Sequence, residues 1–115
     1  QRLTLDAKAL EIVRRGLSAV TDPGGTAYVS FADLPYKVAG KTGTAQNSQG
    51  PSHGWFAGFA PANSPRIVVI VLVEHGTGGS LAAAPVARKV LDAFFGRKAK
   101  TAQEISAGLT PAAGD

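Results

Sequence analysis

Leu10, Val13, Leu17 and Val20 recur at spacings of three and four, the repeat of one helical face. They predict an amphipathic helix over residues 6–20. Thr4 is placed to cap it, and Asp6 and Glu11 suit the positive end of its dipole. Asp22-Pro23-Gly24-Gly25 then stops it with a turn. Residues 28–31 read as a short extended piece, ended by Leu34-Pro35. Residues 36–46 read as a glycine-interrupted strand, residues 47–52 as a loop, and residues 53–59 as a second strand. In that second strand His53, Trp55 and Phe59 share one face. Residues 66–74 make the strongest strand, dominated by Val and Ile, and its unbroken apolar run predicts burial on both faces.

After a flexible connection at residues 76–79, a second helix is predicted over residues 83–95. Pro85 sits in its first turn, and Val86, Val90, Leu91 and Phe94 form its apolar stripe. Gly96 is a natural stop. Residues 97–115 carry little apolar content and read as a flexible basic tail, which leaves residues 1–96 as one structured portion. The order is helix, three strands, helix, tail. Short links between the strands favour an antiparallel meander, so the fold class is α+β. A third strand buried on both faces asks for at least one more layer than this chain supplies.

Composition narrows the picture. The chain has 115 residues, 44% of them hydrophobic and 17% charged, which is not a disordered composition. It has no cysteine, so disulfides and thiolate metal sites are excluded. Its longest strongly apolar run covers residues 67–73, far short of the roughly 20 residues of a membrane helix. The net charge is +4, with a cluster at Arg88, Lys89, Arg97, Lys98 and Lys100. No aromatic residues of the base-stacking kind interleave that cluster. It reads as a solvated helix end and tail, and nucleic acid is not an expected partner.

The segment richest in chemistry is Val38-Ala39-Gly40-Lys41-Thr42-Gly43-Thr44-Ala45-Gln46. Gly40-Lys41-Thr42 mimics the end of a phosphate-binding loop. That motif also needs a glycine five positions earlier and a helix afterwards. Position 35 is Pro35, and Gly43, Asn47, Gly50 and Pro51 will not make a helix. The alternative is a Lys-Thr-Gly strand. Lys41 supplies a charge able to hold a carboxylate or tune a neighbouring hydroxyl. Thr42 and Thr44 lie two apart and so point to one side of a strand. Gly43 between them lets a ligand approach the backbone. An open strand edge can also pair with a peptide.

Lys-Thr-Gly is one of three signatures of penicillin-binding proteins and their β-lactamase relatives. Gly25-Thr26-Ala27, then Tyr36 through Gln46, then His53-Gly54-Trp55-Phe56-Ala57-Gly58-Phe59-Ala60-Pro61 together resemble the class B penicillin-binding proteins, closest to the elongation type. Residues 67–73, Glu74-His75-Gly76 and Ala83-Ala84-Pro85-Val86 continue the resemblance, which covers residues 5–95. It implies a five-stranded antiparallel sheet flanked by helices, of which this chain supplies three strands and the last helix. It implies a serine-type D,D-transpeptidase that cross-links peptidoglycan stem peptides and is acylated by β-lactams. It needs no cofactor and no metal. Its place is the periplasmic side of the inner membrane, with the anchor outside this chain and elongation-machinery membrane proteins as partners. Carried over, Lys41, Thr42, Gly43 and Thr44 bind substrate, Lys41 and Thr44 take part in catalysis, and the Thr44 N–H is an oxyanion donor. Gln46, His53 and Trp55 fall on the active-site rim.

The other two signatures are missing. Ser18, Ser30, Ser48, Ser52, Ser64, Ser80 and Ser106 are the serines of the chain. None has lysine three positions on or asparagine two positions on. The resemblance therefore implies a nucleophile upstream of this segment, in another part of the same domain, and a segment that is inert alone. A β-lactamase or D,D-carboxypeptidase fragment is the rival within the superfamily; Gly43-Thr44-Ala45-Gln46 and Phe56-Ala57-Gly58-Phe59-Ala60-Pro61 argue against it. A basic non-catalytic binding module is the rival from another class, resting on charge alone. His53 and His75, even with Glu74, are too few and too unevenly spaced for a metal site. A triad of Ser52, His53 and Asp33 has no nucleophile-elbow sequence behind it.

Overall fold

A computed structural model describes residues 1–109 of the chain. Helix α1 spans Ala7–Ala19, and a single helical turn, α2, spans Tyr28–Phe31. Strands β1 (Ala39–Ala45), β2 (His53–Ala60) and β3 (Ile67–Val73) follow. A π-helical turn over Gly79–Ala83 runs directly into α3 (Ala84–Phe94), and α4 spans Ala102–Leu109. The strands form one antiparallel sheet in the order β1-β2-β3, so the predicted α+β meander is what the chain builds.

Four local expectations change. Asp6, not Thr4, caps α1: its carboxylate accepts the Ala9 N–H at 2.7 Å. Residues 28–31 are helical rather than extended, because burying Ser30 and Phe31 on one side of a turn outweighs the strand preference of Tyr28 and Val29. The connection after β3 is partly an ordered π-helical turn, not a purely flexible link. The stretch read as a flexible tail contains α4, whose Ile105 is buried. Residues 110–115 of that tail lie outside the described residues.

The core lies on one side of the sheet. Phe56 and Ala60 of β2 and Val69 and Val71 of β3 meet Ala83, Ala84, Ala87 and Leu91, with Ala27, Phe31 and Val38 completing the cluster. The Phe31 and Phe56 rings pack at a tilt of 36° with centroids 5.2 Å apart. The predicted stripe of α3 is corrected here. Only Leu91 of its four residues is buried, while Val86, Val90 and Phe94 are exposed. The small residues Ala84 and Ala87 are buried instead, and the same helix also buries Arg88 and Asp92.

Arg88 therefore does not belong to a solvated basic cluster. It is 0% exposed. Its Nε donates to Asp92 Oδ2 at 2.8 Å, one turn along α3, and its Nη1 donates to the Ser30 carbonyl at 3.0 Å. Both terminal nitrogens also meet the Asp33 carboxylate, which Lys100 reaches from the other side at 2.8 Å. The Arg88 guanidinium, helped by Lys100, holds the Asp33 carboxyl well below the usual carboxylate range. Arg97 pairs with Asp92 at 3.4 Å. Arg88 from within α3 and Lys100 from beyond it thus hold α2 and the loop after it.

The expectation that β3 is buried on both faces does not hold within this chain. Val69 and Val71 are covered, but Val68 is 69% exposed and Ile70 is 66% exposed. Leu72 and Trp55 belong to the same bare face. At the far end of that face Leu10, Val13 and Leu17 of α1 line an open crevice with Phe59, Pro65 and Val68, which leaves Val68 exposed.

Candidate active site strand

The Lys-Thr-Gly-Thr segment occupies β1, the outermost strand on its side of the sheet. Register fixes which way each residue faces. Thr42 pairs with Phe56 and Thr44 with Gly54, so both threonines lie in the rows of the core-side face. Lys41 pairs with Ala57, which pairs with Ile70; Gly43 pairs with Trp55, which pairs with Leu72. Lys41 and Gly43 thus share the bare face with Trp55. The strand presents a cation to one side and two hydroxyls to the other, with an open backbone edge between them.

Each member is accessible. Lys41 and Thr44 are exposed, and Thr42 and Gly43 are half-buried. The Lys41 Nζ donates to the Thr42 carbonyl at 2.6 Å, which folds the ammonium back along its own strand. The Thr42 hydroxyl meets the Thr26 hydroxyl at 2.8 Å. A Cβ on Gly43 would stand 3.3 Å from the Trp55 Cβ, so glycine keeps the surface beside Trp55 flat.

The strand is held from behind by Gly78 and Gly79, which open the π-helical turn. A Cβ on Gly79 would come within 2.3 Å of the Trp55 carbonyl oxygen, 2.6 Å of the Gly43 carbonyl oxygen and 2.8 Å of the Gly43 nitrogen. All three are backbone atoms and cannot swing away. Gly54 faces the same contact from the sheet side, its Cβ position lying 2.5 Å from the Gly78 carbonyl oxygen. Gly79→Ala is expected to push β1 off the sheet's plane and to cost about 1–3 kcal/mol in urea unfolding. A loss below about 0.5 kcal/mol would show that the turn can retreat freely.

The two histidines come together at one end of the sheet, beyond Ala45. The His75 N–H donates to His53 Nδ1 at 3.0 Å, and the rings stand 5.0 Å apart. His75 adopts φ +52° and Thr77 φ +67°. The Thr77 N–H donates to the Ser52 carbonyl at 3.1 Å, tying the β1–β2 loop to the segment after β3. Asn47 Nδ2 lies 3.2 Å from His75 Nδ1. Among the described residues no group of three or more His, Asp or Glu side chains is placed to hold a metal. Asp33, the third member of the paper triad, has its carboxylate engaged by Arg88 and Lys100. Gln46 follows the end of β1, exposed.

Two residues at this site and one beyond it went unread in the sequence. Thr26 touches the motif across 16 positions, and its only signal in the sequence is the Gly25-Thr26-Ala27 run that enters the family resemblance. Gly79 is one of four small residues in a stretch that reads as a plain loop. Arg88 looks like one more tail cation.

Residues 1–92 match the family model of the penicillin-binding protein transpeptidase domain. The chain belongs to that family. Among curated relatives, the peptidoglycan D,D-transpeptidase MrdA of Haemophilus influenzae is 40% identical over 106 residues, covering 78% of this chain and 16% of the relative. The peptidoglycan D,D-transpeptidase PbpA of Mycobacterium tuberculosis is 45% identical over 67 residues, 50% of this chain and 13% of the relative. Among solved structures, Pseudomonas aeruginosa PBP2 in complex with WCK 5153 superposes with a TM-score of 0.73 at 42% identity, covering 81% of this chain and 20% of that one. Helicobacter pylori PBP2, in complex with MreC, gives a TM-score of 0.72 at 34% identity, covering 84% of this chain and 19% of that one. The chain thus spans less than a fifth of the length of these curated relatives.

Proposed function

We propose that this chain is the substrate-binding portion of a peptidoglycan D,D-transpeptidase, acting with a nucleophilic serine supplied by an upstream part of the same domain. The observation that carries this reading is the placement of Lys41-Thr42-Gly43-Thr44 on an open edge strand, with Lys41 on a bare apolar face beside Trp55. An acyl donor lying along that edge finds backbone groups to pair with and a cation beside them. Its terminal carboxylate is taken by the hydroxyls of Thr42 and Thr44, as is the carboxylate of a β-lactam. The Thr44 N–H serves as an oxyanion donor, worth about 3 kcal/mol in the transition state. Lys41 lowers the energy of the anionic partners at the reacting centre, and Gln46, His53 and Trp55 border the groove. The bare face of Trp55, Val68, Ile70 and Leu72 is where the upstream part packs.

Names of relatives support the reading. The Haemophilus influenzae and Mycobacterium tuberculosis proteins are D,D-transpeptidases by name. A structure of the mycobacterial penicillin-binding protein A is an imipenem acyl-enzyme complex, and the Helicobacter pylori PBP2 is seen with MreC. By the same analogy the natural setting is the periplasmic side of the inner membrane, with elongation-machinery proteins as neighbours. No described helix of this chain is long and apolar enough to cross a membrane.

The test is covalent labelling with a fluorescent penicillin. This chain is assayed alone, and then with the part of a relative's transpeptidase domain that precedes the matching segment. Label that appears only in the mixture, and only on the upstream piece, is the expected result. Label on this chain by itself would make one of its own serines the nucleophile and overturn the division of roles.

A further inference from the structure

Thr26 lies outside the Lys-Thr-Gly motif, yet the fold delivers it to that motif from a firmly held segment. Gly24 takes φ +87°, a conformation other residues avoid. Gly25 presses on the end of α1: a Cβ there would fall 2.3 Å from the Val20 carbonyl oxygen and 2.5 Å from that of Ala19. The Ala27 N–H donates to the Val20 carbonyl at 3.0 Å, and the Ala27 side chain is buried in the core. Nearby, the buried Thr21 hydroxyl donates to the carbonyl of Val38, the residue before β1, at 2.7 Å. Between these fixed points the Thr26 Oγ1 stands 2.8 Å from the Thr42 Oγ1, the ordinary length of a hydroxyl–hydroxyl hydrogen bond.

A hydroxyl has one O–H and two lone pairs. If Thr42 donates to Thr26, only its lone pairs face an arriving ligand, and these repel a carboxylate. If Thr26 donates to Thr42, the Thr42 O–H is free, turned away from Thr26 and polarised by the bond it accepts. An anion at the edge of β1 selects the second arrangement. We propose that Thr26 is a positioning residue, whose hydroxyl donates to Thr42 and so orients the Thr42 O–H toward the carboxylate of a stem peptide or β-lactam. This rests on the reading of β1 as the substrate-binding strand.

The experiment uses the full-length transpeptidase carrying this segment. Acylation rates are measured by competition against a fluorescent penicillin, for benzylpenicillin and for its methyl ester, which lacks the carboxylate. Thr26→Val removes the hydroxyl at nearly constant shape, and Thr26→Ser keeps it. Thr26→Val is expected to slow acylation by the free acid about fivefold, the worth of one ordinary hydrogen bond. The methyl ester should be almost unaffected, so the preference for the free acid falls by the same factor, and Thr26→Ser should restore it. An unchanged free-acid rate would overturn the proposal, because Thr42 then orients itself. An equal fall for both probes would also overturn it, because Thr26 is then merely structural. The underlying reading fails separately: if Thr42→Val leaves the free-acid preference intact, Thr42 does not meet the carboxylate at all.

Discussion

Arg88→Met is expected to destabilise the protein by about 3–5 kcal/mol, the cost of leaving a buried charge without its partner. Asp92 is 0% exposed and depends on the Arg88 Nε at 2.8 Å for its closest contact; the Arg97 Nε is farther, at 3.4 Å. Removing Arg88 also strips a donor from the Ser30 carbonyl, and Asp33 retains Lys100. Methionine fills much of the vacated volume, so the loss is electrostatic rather than a cavity. The measurement is urea unfolding of the variant against the parent protein. Replacing the pair together, Arg88→Met with Asp92→Leu, should recover most of the loss, since a whole buried ion pair can often be exchanged for packed apolar side chains. A single variant within about 1 kcal/mol of the parent would mean that water or Arg97 reaches Asp92 freely.

Lys41→Met should lower the rate of acylation by a penicillin about 10- to 100-fold, the range for hydrogen bonds to charged groups. Its effect on stability should be small. Lys41 is exposed, and among the described residues its one side-chain hydrogen bond runs to the carbonyl of the next residue. The two readouts therefore separate: binding chemistry changes while the unfolding midpoint stays. Lys41→Arg should not rescue fully, because a planar fork replaces a compact ammonium beside Trp55 and Gly43. An acylation rate that survives Lys41→Met unchanged would remove Lys41 from the site.

Much of the architecture is legible locally. The three- and four-residue spacing of Leu10, Val13 and Leu17 places α1, and the Val and Ile run places β3. Lys41 to Thr44 stands out because lysine, two hydroxyls and a glycine in alternation are more than a strand needs. Two of the misreadings, both on α3, share one cause. Val86, Val90 and Phe94 look like a core stripe because they are apolar, and Arg88 looks like a surface cation because it is charged. Hydrophobicity ranks residues by what they prefer. Arg88 is buried because its guanidinium meets the Ser30 carbonyl and the Asp33 carboxylate, partners 58 and 55 positions away.

The sequence by itself determined the element order, the antiparallel meander and the motif strand, because each depends on neighbours within a few positions. Short links leave little choice of pairing, and strand alternation alone puts Thr42 and Thr44 on one side and Lys41 on the other. Only the tertiary structure decided what supports that strand. Thr26 reaches Thr42 across 16 positions, and Thr21 reaches the carbonyl of Val38, just before the strand, across 17. Gly79 reaches the Gly43 backbone from the far side of the sheet. Such contacts arise from how far apart packed layers settle, a property of the summed side-chain volumes between them, and no local pattern encodes it.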